Sequence, residues 1–171
     1  MLNYNQALSE KKSFQDLHIN EIKPIMKLIV RGKKREFISA VGKSLNMLLP
    51  NEANTSTQSD KLTAIWLSPD EWMIFSNEPI DGSSNNYETE KLLNNNISKL
   101  NLGAITDVTD QFVMIGLKGN KIYDLFKTGS PFNFNNFRNK KGAVTQTILA
   151  KIDIIILNKD KNAVNLFVRR S

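Results

Sequence analysis

Two apolar runs, LTAIWL (62–67) and EWMIF (71–75), are separated by only three residues, SPD. So short a connection cannot carry the chain to a parallel neighbour, which takes a dozen residues or more, so the runs must pair antiparallel. Side chains alternate along them: Leu62, Ala64 and Trp66 take one face and Thr63, Ile65 and Leu67 the other, while Trp72 and Ile74 oppose Met73 and Phe75. Ser68 suits the first position of a type I turn and Pro69 the second, where its fixed φ already fits; Asp70 can hydrogen-bond nearby backbone. Asp70 and Glu71, adjacent in the chain, are badly placed to aim two carboxylates at one bond, as paired acid/base chemistry requires. The stretch reads as a hairpin that folds, and the hairpins argue against a doubly wound parallel sheet.

The rest of the chain continues in short elements. IMKLIVRG (25–32) is a strand, and Ile38, Val41, Leu45 and Leu48 recur at helical spacing until Pro50. NEANTSTQSD (51–60) and DGSSNN (81–86) are loops, and YETEKLLNNNISKL (87–100) is a helix with Leu93, Ile97 and Leu100 on one face. Strands follow at AITDVTD (104–110) and QFVMIGLKG (111–119), then a short helix, KIYDLFKT (121–128), with Asn120 as N-cap and Gly129 at its end. After the loop SPFNFNNFRNKK (130–141) come three strands, AVTQTIL, IDIIIL and AVNLFV, the last two joined by the polar turn NKDKN (158–162). The first part therefore reads β-α-β-β-α-β, the order of a ferredoxin-like unit, and the second β-α-β-β-β, an incomplete relative. The expectation is an α+β fold of two ferredoxin-like βαββ-type halves packed together, about 23–109 and 110–171, behind a polar tail at 1–22.

Composition narrows the function classes. The 171 residues suffice for a core without staples, and no cysteine is present, which excludes disulfides, thiolate metal ligands and a thiol nucleophile. His18 is the only histidine, so multi-histidine metal sites are excluded and a Ser-His-Asp triad is disfavoured. The net charge of +6 is scattered, with short clusters at RGKKR (31–35) and NKKG (139–142) and no basic stripe with interleaved aromatics, so nucleic acid is not the expected partner. The N-terminal residues lack the apolar core of a signal peptide and no run approaches a membrane span, so the chain reads as cytoplasmic.

Several segments carry a resemblance. IWLSPDEWMIF resembles the Trp-Leu-Gly-Pro-Asp-Glu-Trp signature of the gamma subunit of heterotetrameric sarcosine oxidase, and VGKSLNMLLP its first helix ending in Leu-Pro. AITDVTDQFVMIGLKGNKIYDLFKTGSPFNF resembles that family's Asp-Val-Ser-Asp strand, Leu-x-Gly step and Gly-x-Pro-hydrophobic loop; GAVTQTILAKIDIIIL and NLFVRRS resemble its Thr-Gln-Thr strand and Val-x-Arg-Ser ending. The likeness runs from about residue 25 to the end. Ser68 replaces the usual glycine and Thr109 the usual serine, and the chain stops at Ser171 where family members continue into a terminal helix, so the second half is expected without that helix. An edge or apolar face would then need cover from a partner.

The resemblance implies a fold related to the folate-binding domain of the glycine-cleavage T protein. It also implies membership of a complex that oxidatively demethylates sarcosine to glycine, forming hydrogen peroxide and passing the one-carbon unit to tetrahydrofolate. It places FAD, FMN, NAD, tetrahydrofolate and zinc in the partner alpha, beta and delta subunits, with no cofactor, metal or catalytic residue in this chain, whose role would be assembly and shaping of the complex. A different class, a stand-alone folate-binding protein related to the T protein, includes a group with a Lys-Gly-Cys-Tyr-x-Gly-Gln motif; KKGAVTQT keeps Lys141, Gly142 and Gln146 but has Ala143 for the cysteine.

Candidate interface residues are Trp66, Trp72, Phe132, Phe134 and Phe137, with core packing the alternative, and Arg169 and Arg170, which suit a partner's acidic groups or folate carboxylates, with a solvated strand end the alternative. Asp107 and Asp110 suit turns or a ligand, and Thr145, Gln146 and Thr147 read as facing solvent or a partner.

Overall fold

A computed structural model describes residues 6–8, 11–80 and 87–171, so the loop expected at 81–86 lies outside the described residues. The chain divides into two units, Pro24–Thr109 and a second made of the segment up to Lys23 together with Asp110–Ser171. Each holds one antiparallel sheet and at least one helix, an α+β architecture.

The N-terminal segment is in part a folded element of the sheet, where a polar tail at 1–22 is expected from the sequence. Lys12–Phe14 (β1) and Leu17–Glu21 (β2) pair as a hairpin around Asp16, whose φ of 63° suits a tight turn. Leu17 and Ile19 alternate with polar residues and pack on the core of their unit. Two apolar residues at period two are too few to stand out in a polar sequence, which is why this strand escapes a pattern reading.

In Pro24–Thr109 the elements are Lys27–Arg31 (β3), Arg35–Leu45 (α1), Ser56–Gln58 (β4), Leu62–Ser68 (β5), Glu71–Ser76 (β6), Tyr87–Leu93 (α2), a π-helical turn at Asn94–Ser98, and Ala104–Asp107 (β7). The sheet order is β4-β5-β6-β3-β7, with β3 between its hairpin-distant neighbours β6 and β7, the arrangement of a split βαβ unit. The polar β4, inside the segment expected as a loop, joins through backbone pairing to β5 alone. Leu28, Val30, Trp72 and Ile74 from the sheet pack with Phe37 and Val41 of α1, Leu93 of α2 and Ile97 of the π-helical turn. The expected stripe of α1 holds at Val41, which is buried, and at Leu45, which packs on the core, but it begins at Phe37, which points inward, while Ile38 is 42% exposed. Phe37 lies against Gly32 and Gly103, where a Cβ would collide with its ring, so those glycines make the seat that selects this face. Leu48 is 81% exposed because the helix stops at Asn46, φ 49°, after which helical spacing no longer governs direction. Leu100 is likewise exposed, since the π-helical turn shifts the phase of the apolar stripe before the helix ends.

The other unit adds Phe112–Lys118 (β8), Ile122–Gly129 (α3), a 3-10 turn at Phe137–Asn139, Val144–Leu149 (β9), Ile152–Asp160 (β10) and Ala163–Arg169 (β11). Its order, β1-β2-β8-β11-β10-β9, corrects the expectation of a second ferredoxin-like half. No helix stands between β10 and β11, so β11 folds straight back beside β10 and comes to lie between it and β8. The opposite edge of β8 is taken by β2, so the chain's own N-terminal hairpin covers an edge expected to need a partner. Ala150 and Lys151, both at positive φ, close the β9–β10 hairpin, the geometry of a two-residue turn matched to strand twist. The cap of α3 is Lys121, with Asn120 one residue outside the position expected for it.

Candidate functional site

The opening hairpin contains no reactive pair. Ser68 and Glu71 are partners across the Pro69–Asp70 turn, with a register shift between Trp66 and Ser68. Neither turn residue has positive φ, and such a turn fits the right-handed twist of its strands poorly; the bulge at Leu67 absorbs the mismatch. The Ser68 hydroxyl donates to Asp70 Oδ1 at 2.9 Å, and Arg31 Nε donates to Oδ2 at 3.4 Å. That hydrogen bond from Ser68, with Arg31 alongside, holds the Asp70 carboxyl below its ordinary value, the opposite of what a general acid needs.

The tryptophans face each other in register, yet their surroundings differ. Trp72 is 2% exposed, donates from Nε1 to the Pro50 carbonyl at 2.8 Å and packs on Phe37, so it is a core residue with no surface to offer a partner. Trp66 is half-buried. Phe134 and Phe137 are also buried in their own unit, with Phe134 centred 5.2 Å from Phe126, while Phe132 is half-buried against both. Arg169 and Arg170 are exposed at and beyond the end of β11.

Asp107 accepts the Thr109 N–H at 2.8 Å, and Thr109 Oγ1 accepts the Lys27 N–H at 3.0 Å, so this stretch stitches β7 to β3. Of the Thr-Gln-Thr strand, Gln146 is exposed, but Thr145 is buried and Thr147 meets Ser130 at 3.1 Å, which corrects the expectation that all three face outward. His18 is exposed on β2, 3.2 Å from the Ser13 hydroxyl. Among the described residues no group of three His, Asp or Glu stands close enough to hold a metal ion.

The cavity of note lies elsewhere, in the unit containing α3. It holds about 340 Å³ and is walled by Tyr123, Asp124 and Lys127 of α3, Phe134 and Arg138 of the following loop, and Lys161 of the β10–β11 turn. The loop is pinned from below by Asn158, which is fully buried. Its Nδ2 donates to the carbonyls of Phe137 at 2.6 Å, Lys140 at 2.9 Å and Arg138 at 3.3 Å. Arg138 in turn donates from Nη2 to Asn162 Oδ1 at 3.1 Å and sets its guanidinium 5.4 Å from the centre of the Tyr123 ring. Burial pushes the Tyr123 phenol up to about 12, with Arg138 opposing the shift, so the group is a protonated donor at neutral pH. The Tyr123 hydroxyl and Arg138 Nε are both buried without a hydrogen-bond partner among the described residues. Sequence reading missed this constellation, whose members come from three separate segments. The visible traces were the three phenylalanines that order the loop and the asparagine closing the apolar run IDIIILN.

Fold and site together define a chain of two antiparallel α+β units in which the conspicuous acidic and aromatic residues mostly serve folding. The chain belongs to the sarcosine oxidase gamma subunit family, whose model matches residues 31–171. Among solved structures, it is similar to a chain of the heterotetrameric sarcosine oxidase from Corynebacterium sp. U-96 in complex with pyrrole 2-carboxylate, with a TM-score of 0.78 at 15% identity. That alignment covers 90% of this chain and 76% of the other, and it shows the shared fold. No curated protein matches by sequence. No described helix is long and apolar enough to cross a membrane.

Proposed function

We propose that this chain is the non-catalytic gamma subunit of a heterotetrameric sarcosine oxidase. The observation that carries the reading is the family match over residues 31–171. In this reading the complex demethylates sarcosine oxidatively to glycine in the cytoplasm and passes the one-carbon unit to tetrahydrofolate. FAD, FMN, NAD, tetrahydrofolate and zinc reside in the alpha, beta and delta subunits. The chain contributes by packing and positioning those subunits, on a scaffold related to the folate-binding domain of the glycine-cleavage T protein. The hydrogen-bonded, depressed Asp70 and the stitching role of Asp107 support a scaffold without acid/base chemistry. The candidates that retain surface, Trp66, Phe132, Arg169 and Arg170, are the proposed contact residues, Arg being suited to a partner's carboxylates.

The test is co-purification of the tagged chain with candidate alpha, beta and delta subunits. Retention of a flavin-coloured complex that forms peroxide from sarcosine, with a colourless and inert lone chain, is the expected result. A chain that retains no partner but binds tetrahydrofolate by itself would instead be a stand-alone folate-binding protein.

A further inference from the structure

We propose that the α3 cavity binds a small anion bearing phosphate or carboxylate groups, held by Lys127, Arg138 and Lys161. This proposal does not depend on the subunit reading. Three cations line a hollow of about 340 Å³, a size that ordinary ligand pockets share, and none of the three forms an ion pair among the described residues. The one carboxylate on the wall, Asp124, is turned to another use: it lies 3.7 Å from Lys121. With three cations against one carboxylate the lining is net positive, in a concave setting that favours a compact guest over an extended one.

Arg138 is also prepared in advance. Its backbone N–H donates to the Phe134 carbonyl at 3.0 Å, Asn158 holds its own carbonyl, and Asn162 and the Tyr123 ring fix the guanidinium. A cation held this way loses little freedom on binding, and guanidinium suits the planar fork of a carboxylate or phosphate. Arg138 Nε and the Tyr123 hydroxyl are buried donors without acceptors. Buried donors are normally satisfied, and both residues line the hollow, so an anion held there lies beside them.

The experiment is calorimetric titration of the full chain with inorganic pyrophosphate and, separately, with citrate at low ionic strength. At least one probe should saturate at or below about 1 mM and weaken as salt is raised. The better probe identifies phosphate or carboxylate as the recognised group. Lys127 and Lys161 are exposed, so the double variant K127E/K161E should keep the wild-type melting temperature while losing roughly tenfold or more in affinity. Failure of both probes to saturate, or unchanged affinity in the double variant, overturns the proposal. Binding of a glutamate-rich peptide with neither small anion bound would also overturn it, making the cavity a protein-docking surface. None of these outcomes bears on co-purification with the other subunits, so failure of one reading is distinguishable from failure of the other.

Discussion

Asn158→Ala should remove the post that supports the loop carrying Arg138. The amide has two hydrogens and faces three carbonyls, so its strong bonds are those to Phe137 at 2.6 Å and Lys140 at 2.9 Å, with the 3.3 Å approach to Arg138 shared. Each such bond contributes about 1 kcal/mol net, and both carbonyls keep a backbone donor, Lys140 N–H on Phe137 and Ala143 N–H on Lys140, each at 3.1 Å, so the loss should be roughly 2 kcal/mol. With a urea m-value of about 2 kcal/mol/M, the unfolding midpoint of the full chain should fall by roughly 1 M. Asn158→Asp sharpens the test. Its carboxylate cannot donate, and it would face the same carbonyl oxygens while buried, so it should destabilise more than alanine at neutral pH and approach alanine as acid neutralises it. Urea unfolding followed by tryptophan fluorescence and by circular dichroism gives both numbers and reveals separate unfolding of the two units. A loss below about 1 kcal/mol for alanine, or an aspartate no worse than alanine at neutral pH, would refute the claim that these bonds hold the loop.

Trp72→Phe keeps the ring but strands the Pro50 carbonyl, so it should cost about 1–3 kcal/mol in urea unfolding, and Trp66→Phe, at a half-buried position, clearly less. Gly119 sits at φ 132°, and a Cβ there would collide with the Asp16 carbonyl, so Gly119→Ala should strip amide-exchange protection from β2 before it affects β3 and β6. The folded-state pKa of Asp70 is lowered, so its contribution is present above about pH 4 and lost as pH falls through the folded value; the thermal advantage of wild type over Asp70→Asn should shrink in acid. For Tyr123 the sign reverses: with the phenol raised to about 12, its contribution is whole below pH ~10 and lost as pH rises through the folded value. Ultraviolet titration should show a late phenolate step that Tyr123→Phe abolishes; a Tyr123→Phe variant that instead loses a step near the ordinary tyrosine value would refute the burial argument.

The hairpin at 62–75 was legible because strand period, turn chemistry and a three-residue connection are all local facts, and they yielded the correct pairing and the structural reading of Asp70. The same locality made the β9–β10–β11 run readable as strands. Local pattern put Val41 and Leu45 on the buried face of α1 but could not choose between Phe37 and Ile38, which both satisfy a helical period; the seat between Gly32 and Gly103 selects Phe37. Nor could it place β11 between β10 and β8 or bring the N-terminal hairpin to β8, because both depend on strands pairing across long stretches of chain. The α3 cavity lies furthest from a sequence reading. Tyr123, Arg138, Asn158 and Lys161 carry no shared spacing, and they become one site only after the sheet sets the β10–β11 turn beside the loop that Asn158 holds. Sequence by itself therefore determined most of the elements from β3 onward and their turns, whose energies are settled among near neighbours, but not the polar strands β1, β2 and β4. The tertiary structure decided faces, strand order and the positively charged hollow, whose energies arise between residues far apart in the chain.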